Sequence, residues 1–263
     1  MIPGYKAATR LGFLAAVVCV SALAQNPPPA AKDRVYLRDI EGIWINEQYL
    51  QALTALRAPH AAARKVSPVV IALKREGRAF PIVVTDFNKA SLQTVLDIEP
   101  DVKPGSYRLA VGAGDRPMTS KEVKYIYIQG SRNVQGKFDR LRVAEIFLMK
   151  GKWADYTRLP GEISPYLNRL VLAGRYKDQQ GHSWEFGESG EARWPGQTFV
   201  YELSMNDPGA ACEYLQTEDL KEGTDNKRFG YAWKNGKLSI YPARLVNKKV
   251  RCDAKPLAVL TPL

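Results

Sequence analysis

Apolar and polar positions alternate with a period of two through most of the chain, and glycine-bearing turns break the alternation at short intervals. The clearest case is near the C-terminus. Phe229, Tyr231 and Trp233 alternate with Gly230 and Ala232, Lys234-Asn235-Gly236-Lys237 follows, and Leu238 and Ile240 then alternate with Ser239 and Tyr241. Asn-Gly between alternating runs signals a tight hairpin, because both central residues of a type I′ turn need positive φ. A two-residue loop sets Trp233 opposite Leu238 and Tyr231 opposite Ile240, which leaves one face apolar and the register fixed.

Upstream, Gln179-Gln180-Gly181 and Glu188-Ser189-Gly190 read as three-residue loops with glycine in the left-handed position. Tyr176 then falls opposite Trp184, and Trp184 opposite Trp194. Gln197 to Met205 adds a strand with Phe199, Tyr201 and Leu203 on one side. The stretch from Leu172 onward therefore predicts a meander of roughly seven strands, with Val250 to Leu260 as the last.

The earlier half shows the same alternation behind a helical lead. Leu50, Leu53 and Leu56 sit at helical spacing within Glu47 to Arg57, and Ala58-Pro59 stops that helix. Strands follow at Val69–Leu73, Ala79–Thr85, Leu92–Ile98, Ser106–Val111, Lys124–Gln129, Leu141–Leu148 and Lys152–Leu159. In the fifth of these Tyr125 and Tyr127 alternate with Ile126 and Ile128, a pattern suited to burial on both sides. With the Ile43 segment this makes about eight strands, a number able to close a small barrel. Leu159-Pro160-Gly161 marks a boundary, and Tyr166 to Ala173 reads as a short helix. The prediction is an all-β protein with short helices: two tandem antiparallel meander or barrel units, 34–160 and a smaller 165–263.

The first residues alter the setting. Lys6 and Arg10 precede an apolar run from Leu11 to Ala24 that is short for a bilayer span, and Ala22-Leu23-Ala24 fits a small-residue cleavage pattern. A signal peptide over 1–24 and export to a periplasmic or extracellular space are expected. Cys19 follows Val18, unlike a lipoprotein signal. Residues 25–33, with Pro27-Pro28-Pro29, read as an extended tether. Cys212 and Cys252 then remain, and two cysteines in an oxidising compartment pair. Closing a loop of about 40 residues contributes roughly 3 to 4 kcal/mol in the chain-entropy account.

The net charge of +11 favours anionic partners. In an exported protein those are envelope polymers, lipid headgroups or an acidic protein rather than nucleic acid. Lys221, Lys227, Arg228, Lys234, Lys237, Lys248, Lys249 and Arg251 form the densest basic grouping.

Gly42-Ile43-Trp44, a short helix and the strands that follow resemble the start of lipocalin and related calycin barrels. In that family the glycine-x-tryptophan opens the first strand, the tryptophan closes the barrel floor, and an arginine near the last strand packs over it; Gly42, Trp44 and Arg158 match in order along the chain. The family's threonine-aspartate-aromatic motif has the letters of Thr85-Asp86-Phe87, which come earlier than in the family. Gly174-Arg175-Tyr176 echoes the opening tripeptide in the second unit. The resemblance implies a non-enzymatic carrier of a small apolar ligand or an envelope component. Trp44, Tyr125, Tyr127 and Trp153 are the candidate ligand-binding residues. The alternatives are an interaction or inhibitor module docking on an acidic partner, and a hydrolase of envelope polymers.

Candidate chemistry is sparse, and no metal or other cofactor is expected. His60, read as lying in a helix-ending loop, and His182, in a turn, have no cysteine or carboxylate cluster at ligand spacing. No Gly-x-Ser-x-Gly elbow occurs, although triads are recognised in space rather than by order. Glu185, Glu188, Glu191 and Glu213 lie on or near meander turns, where two carboxylates in a cleft would suit acid–base work on a sugar polymer. Gly112-Ala113-Gly114 lacks the lysine and helix of a phosphate loop.

Overall fold

A computed structural model describes residues 35–64, 66, 68–77, 79–85, 90–101, 105–112, 124–145, 152–205, 207, 209–218 and 227–263. The expected signal peptide and tether, Asp86-Phe87, Ala113-Gly114 and the Met149-Lys150-Gly151 turn lie outside them.

Helix α1 (Leu37–Ile40) leads into eight strands: β1 (Gly42–Asn46), β2 (Val70–Leu73), β3 (Phe80–Thr85), β4 (Ala90–Pro100), β5 (Ser106–Gly112), β6 (Lys124–Arg132), β7 (Phe138–Glu145) and β8 (Trp153–Arg158). Each is antiparallel to the next, and β8 returns to β1 with Trp44 opposite Arg158, closing a barrel. Between β1 and β2 lie α2 (Glu47–Leu56) and α3 (Pro59–Ala63). The Asn46 side chain starts α2 by accepting from Gln48 N and Tyr49 N, and Arg57, left-handed at φ 50°, ends it.

Helix α4 (Ile163–Val171) opens the second half. It is followed by β9 (Gly174–Lys177), β10 (Ser183–Phe186), β11 (Glu191–Trp194), β12 (Gln197–Leu203), β13 (Glu213–Glu218), β14 (Arg228–Lys234), β15 (Lys237–Val246), β16 (Lys249–Cys252) and β17 (Ala258–Pro262). Strands β9 to β15 run in order, and β17 sits between β15 and β9 to complete a second closed eight-stranded barrel. The ninth strand, β16, pairs only with the far end of β15. The predicted single last strand is therefore two, divided at Pro256, which has no N–H for a ladder. The predicted fold class is the one observed.

The predicted registers hold wherever turn chemistry fixed them. Trp233 faces Leu238 and Tyr231 faces Ile240; Tyr176 faces Trp184; and Trp184 meets Trp194 with ring centroids 4.7 Å apart. Asn235 and Gly236 have φ of 51° and 73°, as a type I′ turn demands. Burial of β6 on both sides does not hold. Ile126 and Ile128 are buried in the core while Tyr125 and Tyr127 are half-buried on the other face, because successive side chains of a strand point to opposite faces.

The first interior is mainly aliphatic, built from Ile71, Leu73, Ile82, Val84, Leu109, Val111, Ile126, Ile128 and Val143 around Trp44. At its floor Trp44 Nε1 donates to Ile40 O at 2.8 Å, the Arg158 guanidinium lies 4.7 Å over the Trp44 ring, and Arg158 Nη2 donates to Asp39 O at 2.6 Å. The second interior is aromatic. Trp194 meets Trp184, Phe186, Phe199 and Phe229 at 4.7 to 5.9 Å. Its floor repeats the first in outline, for Tyr176 Oη donates four residues back to Leu172 O at 2.6 Å. Arg57, which ends α2, lies 4.2 Å over Trp233, whose Nε1 donates to Val171 O. Tyr49 and Leu53 of α2, and Ala62 and Ala63 of α3, belong to this second core. Residues Val35–Leu263 accordingly form one compact unit.

Candidate functional site

Three places deserve a chemical reading: the first barrel's interior, the seam where α3 meets the second barrel, and the outer wall over β5–β8.

Inside the first barrel the described residues Ile40, Trp44, Leu73, Leu109, Ile128 and Leu141, among others, line a void of about 20 Å³. Ligand pockets run to roughly 300–1,000 Å³. Among the described residues the interior is thus filled by its own side chains. Trp44, fully buried, forms the floor under Arg158. The half-buried Gly42, at φ 146°, leaves room beside the Arg158 side chain, which would lie 3.8 Å from an added Cβ.

The seam brings together side chains that no local pattern announces. His60 lies not in a loop but within α3, only 3% exposed. Its Nε2 is 3.0 Å from Ser204 Oγ, its Nδ1 is 3.6 Å from Glu213 Oε2, and its ring meets Tyr214 edge-on. The order serine, histidine, carboxylate matches a hydrolytic triad. Glu213, however, is already engaged: Oε2 and Oε1 accept from His60 N and Ala61 N, both at 3.0 Å. A contact of 3.6 Å is no hydrogen bond, so the carboxylate caps α3 rather than orienting the imidazole. Burial lowers the His60 pKa below its ordinary 6.5, against the opposing pull of Glu213. A neutral imidazole thus locks the first half's connector onto β12 and β13.

The other carboxylates do not gather around Glu213. Glu185 faces Arg193 at 3.8 Å, Glu188 faces Arg169 at 3.9 Å, and Glu191 is exposed at the start of β11. His182 pairs with Asp178 at 3.0 Å in an exposed turn. Among the described residues no group of three or more metal-ligating side chains forms.

The outer wall is the more open surface. Register places Arg108, Tyr127, Ala144 and Trp153 in one row across β5, β6, β7 and β8, with Gln129, Arg142 and Asp155 in the next row and Ser131, Arg140 and Thr157 beyond. Tyr125, Tyr127 and Trp153 therefore stand outside the barrel rather than lining its interior, and Trp153 is 41% exposed. The aromatic groups carry cations: Arg108 lies 5.1 Å from the Tyr125 ring and Arg142 5.8 Å from the Trp153 ring. Beside them runs a groove of about 450 Å³ lined by Glu47, Gln129, Ser131, Arg140, Arg142 and Asp155. Arg140 meets the half-buried Glu47 at 3.4 Å and Arg142 meets Asp155 at 3.7 Å; the second pair is open to solvent on both sides and therefore easily rearranged.

The disulfide joins Cys212 to Cys252, tying the start of β13 to the end of β16. Among the described residues no helix is long and apolar enough to cross a membrane. No protein-family model, curated protein or solved structure matches the chain.

Proposed function

We propose that this is an exported binding protein of lipocalin-like type that holds an anionic envelope polymer on the outer wall of its first barrel. The carrying observation is the aromatic shelf of Tyr125, Tyr127 and Trp153 beside a groove with Gln129, Arg140, Arg142 and Asp155 on its walls. Sugar rings offer C–H faces to aromatic shelves and hydroxyl edges to planar polar side chains, while arginine meets carboxylate or phosphate in a two-pronged fashion. The small void inside the barrel favours this surface over an interior apolar guest. Lipocalin-like kinship is supported by the floor built from Trp44 and Arg158.

Titrating the chain without residues 1–24 with a soluble uronic-acid polysaccharide, followed by tryptophan emission and iodide quenching, tests the reading. Binding should shield Trp153. Trp153→Ala should weaken it by about tenfold, the equivalent of roughly 1.4 kcal/mol, with little loss of thermal stability because the ring lies outside both cores. Absence of binding, or an unchanged affinity in Trp153→Ala, would sink the proposal; saturable uptake of a fatty-acid probe instead would return the site to the interior.

A further inference from the structure

The hairpin of β15 and β16 breaks local rules that its neighbour obeys. Both the β14–β15 and β15–β16 turns are two-residue loops with left-handed central positions. The first uses Asn235-Gly236, whereas the second uses Asn247-Lys248 at φ 51° and 62°. A lysine held where glycine is favoured is a local strain. In the third pair from the turn Arg244 stands opposite Arg251, a like-charge pair that disfavours the ribbon. At the tip Leu245 is 54% exposed and Val246 is also exposed. Local costs that cluster on one exposed element point to a use there.

The element runs beyond the barrel's own pairing and is held in place. Past Ala243, the last β15 residue paired with β14, the ladder consists of β15 and β16 alone, and an isolated ribbon is weak. It is fastened from its base at Cys252 up to Val250, two residues from the turn. Cys252 is bonded to Cys212, Ala211 N donates to Val250 O at 2.9 Å, and buried Val250 packs with Ala210 and Tyr214. From Ala243 to Asp253 the chain carries Arg244, Lys248, Lys249 and Arg251 and a single acidic residue, Asp253, which holds Arg244 at 3.3 Å.

We propose that this hairpin docks the protein on an anionic lipid surface, with Leu245 and Val246 entering the headgroup layer and Lys248, Lys249 and Arg251 meeting headgroup phosphates. Pairing puts Val246 on one face of the ribbon with Lys249, Arg244 and Arg251, and Leu245 on the other with Val250, so exposed apolar side chains lie on both faces of a cationic tip. That suits a fluid layer that opens around it; an acidic protein would need a preformed pocket for the same two residues. Each basic residue near such a surface strengthens attachment about fivefold at low salt and less at high salt.

The test is co-sedimentation of the chain without residues 1–24 with vesicles of 30% phosphatidylglycerol in phosphatidylcholine, against pure phosphatidylcholine, at low and high salt. Binding should require the anionic lipid and fall with salt. Lys248→Gly should weaken binding about fivefold while raising the melting temperature, since glycine relieves the turn; a merely structural role for Lys248 cannot give that opposed pair. Leu245→Ser should weaken vesicle binding but not retention on a soluble polyanion. Trp153→Ala should bind vesicles unchanged, which separates this inference from the wall site. No binding at low salt, parental binding by both hairpin variants, or a Leu245→Ser variant equal to parent with a polyanion competing fully would overturn the lipid assignment.

Discussion

The two barrels share a strand number and a floor plan but differ in filling and in self-sufficiency. The first is packed with aliphatic side chains, and its floor of Trp44, Arg158 and α1 comes from its own sequence. The second is packed with stacked and edge-on rings, and it borrows Tyr49, Leu53, Ala62 and Ala63 for its core and Arg57 for its floor from the connector between β1 and β2. Closure of a ring of strands is thus indifferent to what fills it, provided the volume is right. Two rings in tandem also need not be two independent bodies.

Single substitutions can sharpen that contrast. Trp194 touches four other rings, so Trp194→Ala should cost about 3–5 kcal/mol, near the upper end of what Leu109→Ala in the first barrel costs at about 2–5 kcal/mol. Urea midpoints would show it, and a larger loss for Leu109→Ala would break the picture of an aromatic hub. Next in size is the disulfide. Replacing both Cys212 and Cys252 by serine should remove roughly 3 kcal/mol, with near-ultraviolet dichroism from the second barrel's rings melting first if only the second barrel depends on the staple.

The smallest effect concerns the connector's lock. His60 has its folded pKa held below 6.5 by burial, so the unfolded chain takes up a proton that the folded chain resists. Its contribution is complete above pH 6.5 and declines as pH drops through 6.5 toward the folded value, by at most about 1.4 kcal/mol per pH unit. His60→Asn should flatten that acid slope. A slope unchanged in the variant would show that the seam does not titrate through His60.

What the sequence disclosed and what it hid divide along a physical line. Registers set by Asn235-Gly236 and by the glycine turns at Gly181 and Gly190 were legible, because turn chemistry is local and alternation has a fixed period. The outward placement of Tyr125 and Tyr127 was present in the same alternation, yet isoleucine and tyrosine are both apolar enough to mask which face is inside. The meeting of His60, Ser204 and Glu213 left no local trace, since it depends on how α3 lies against β12 and β13. Lys248 in a left-handed turn was hidden for the opposite reason: the residue defies the rule that would have revealed the turn.

Glu213 accepts from the backbone of His60 across 153 positions. A ribosome must therefore synthesise most of the chain before α3 receives its cap, and until then Tyr49 and Leu53 lack the second barrel's side of their core. Contacts of such separation slow folding through the entropy of the intervening loop. The connector of α2 and α3, unlike the first barrel's own core, therefore completes its packing only after β13 is made.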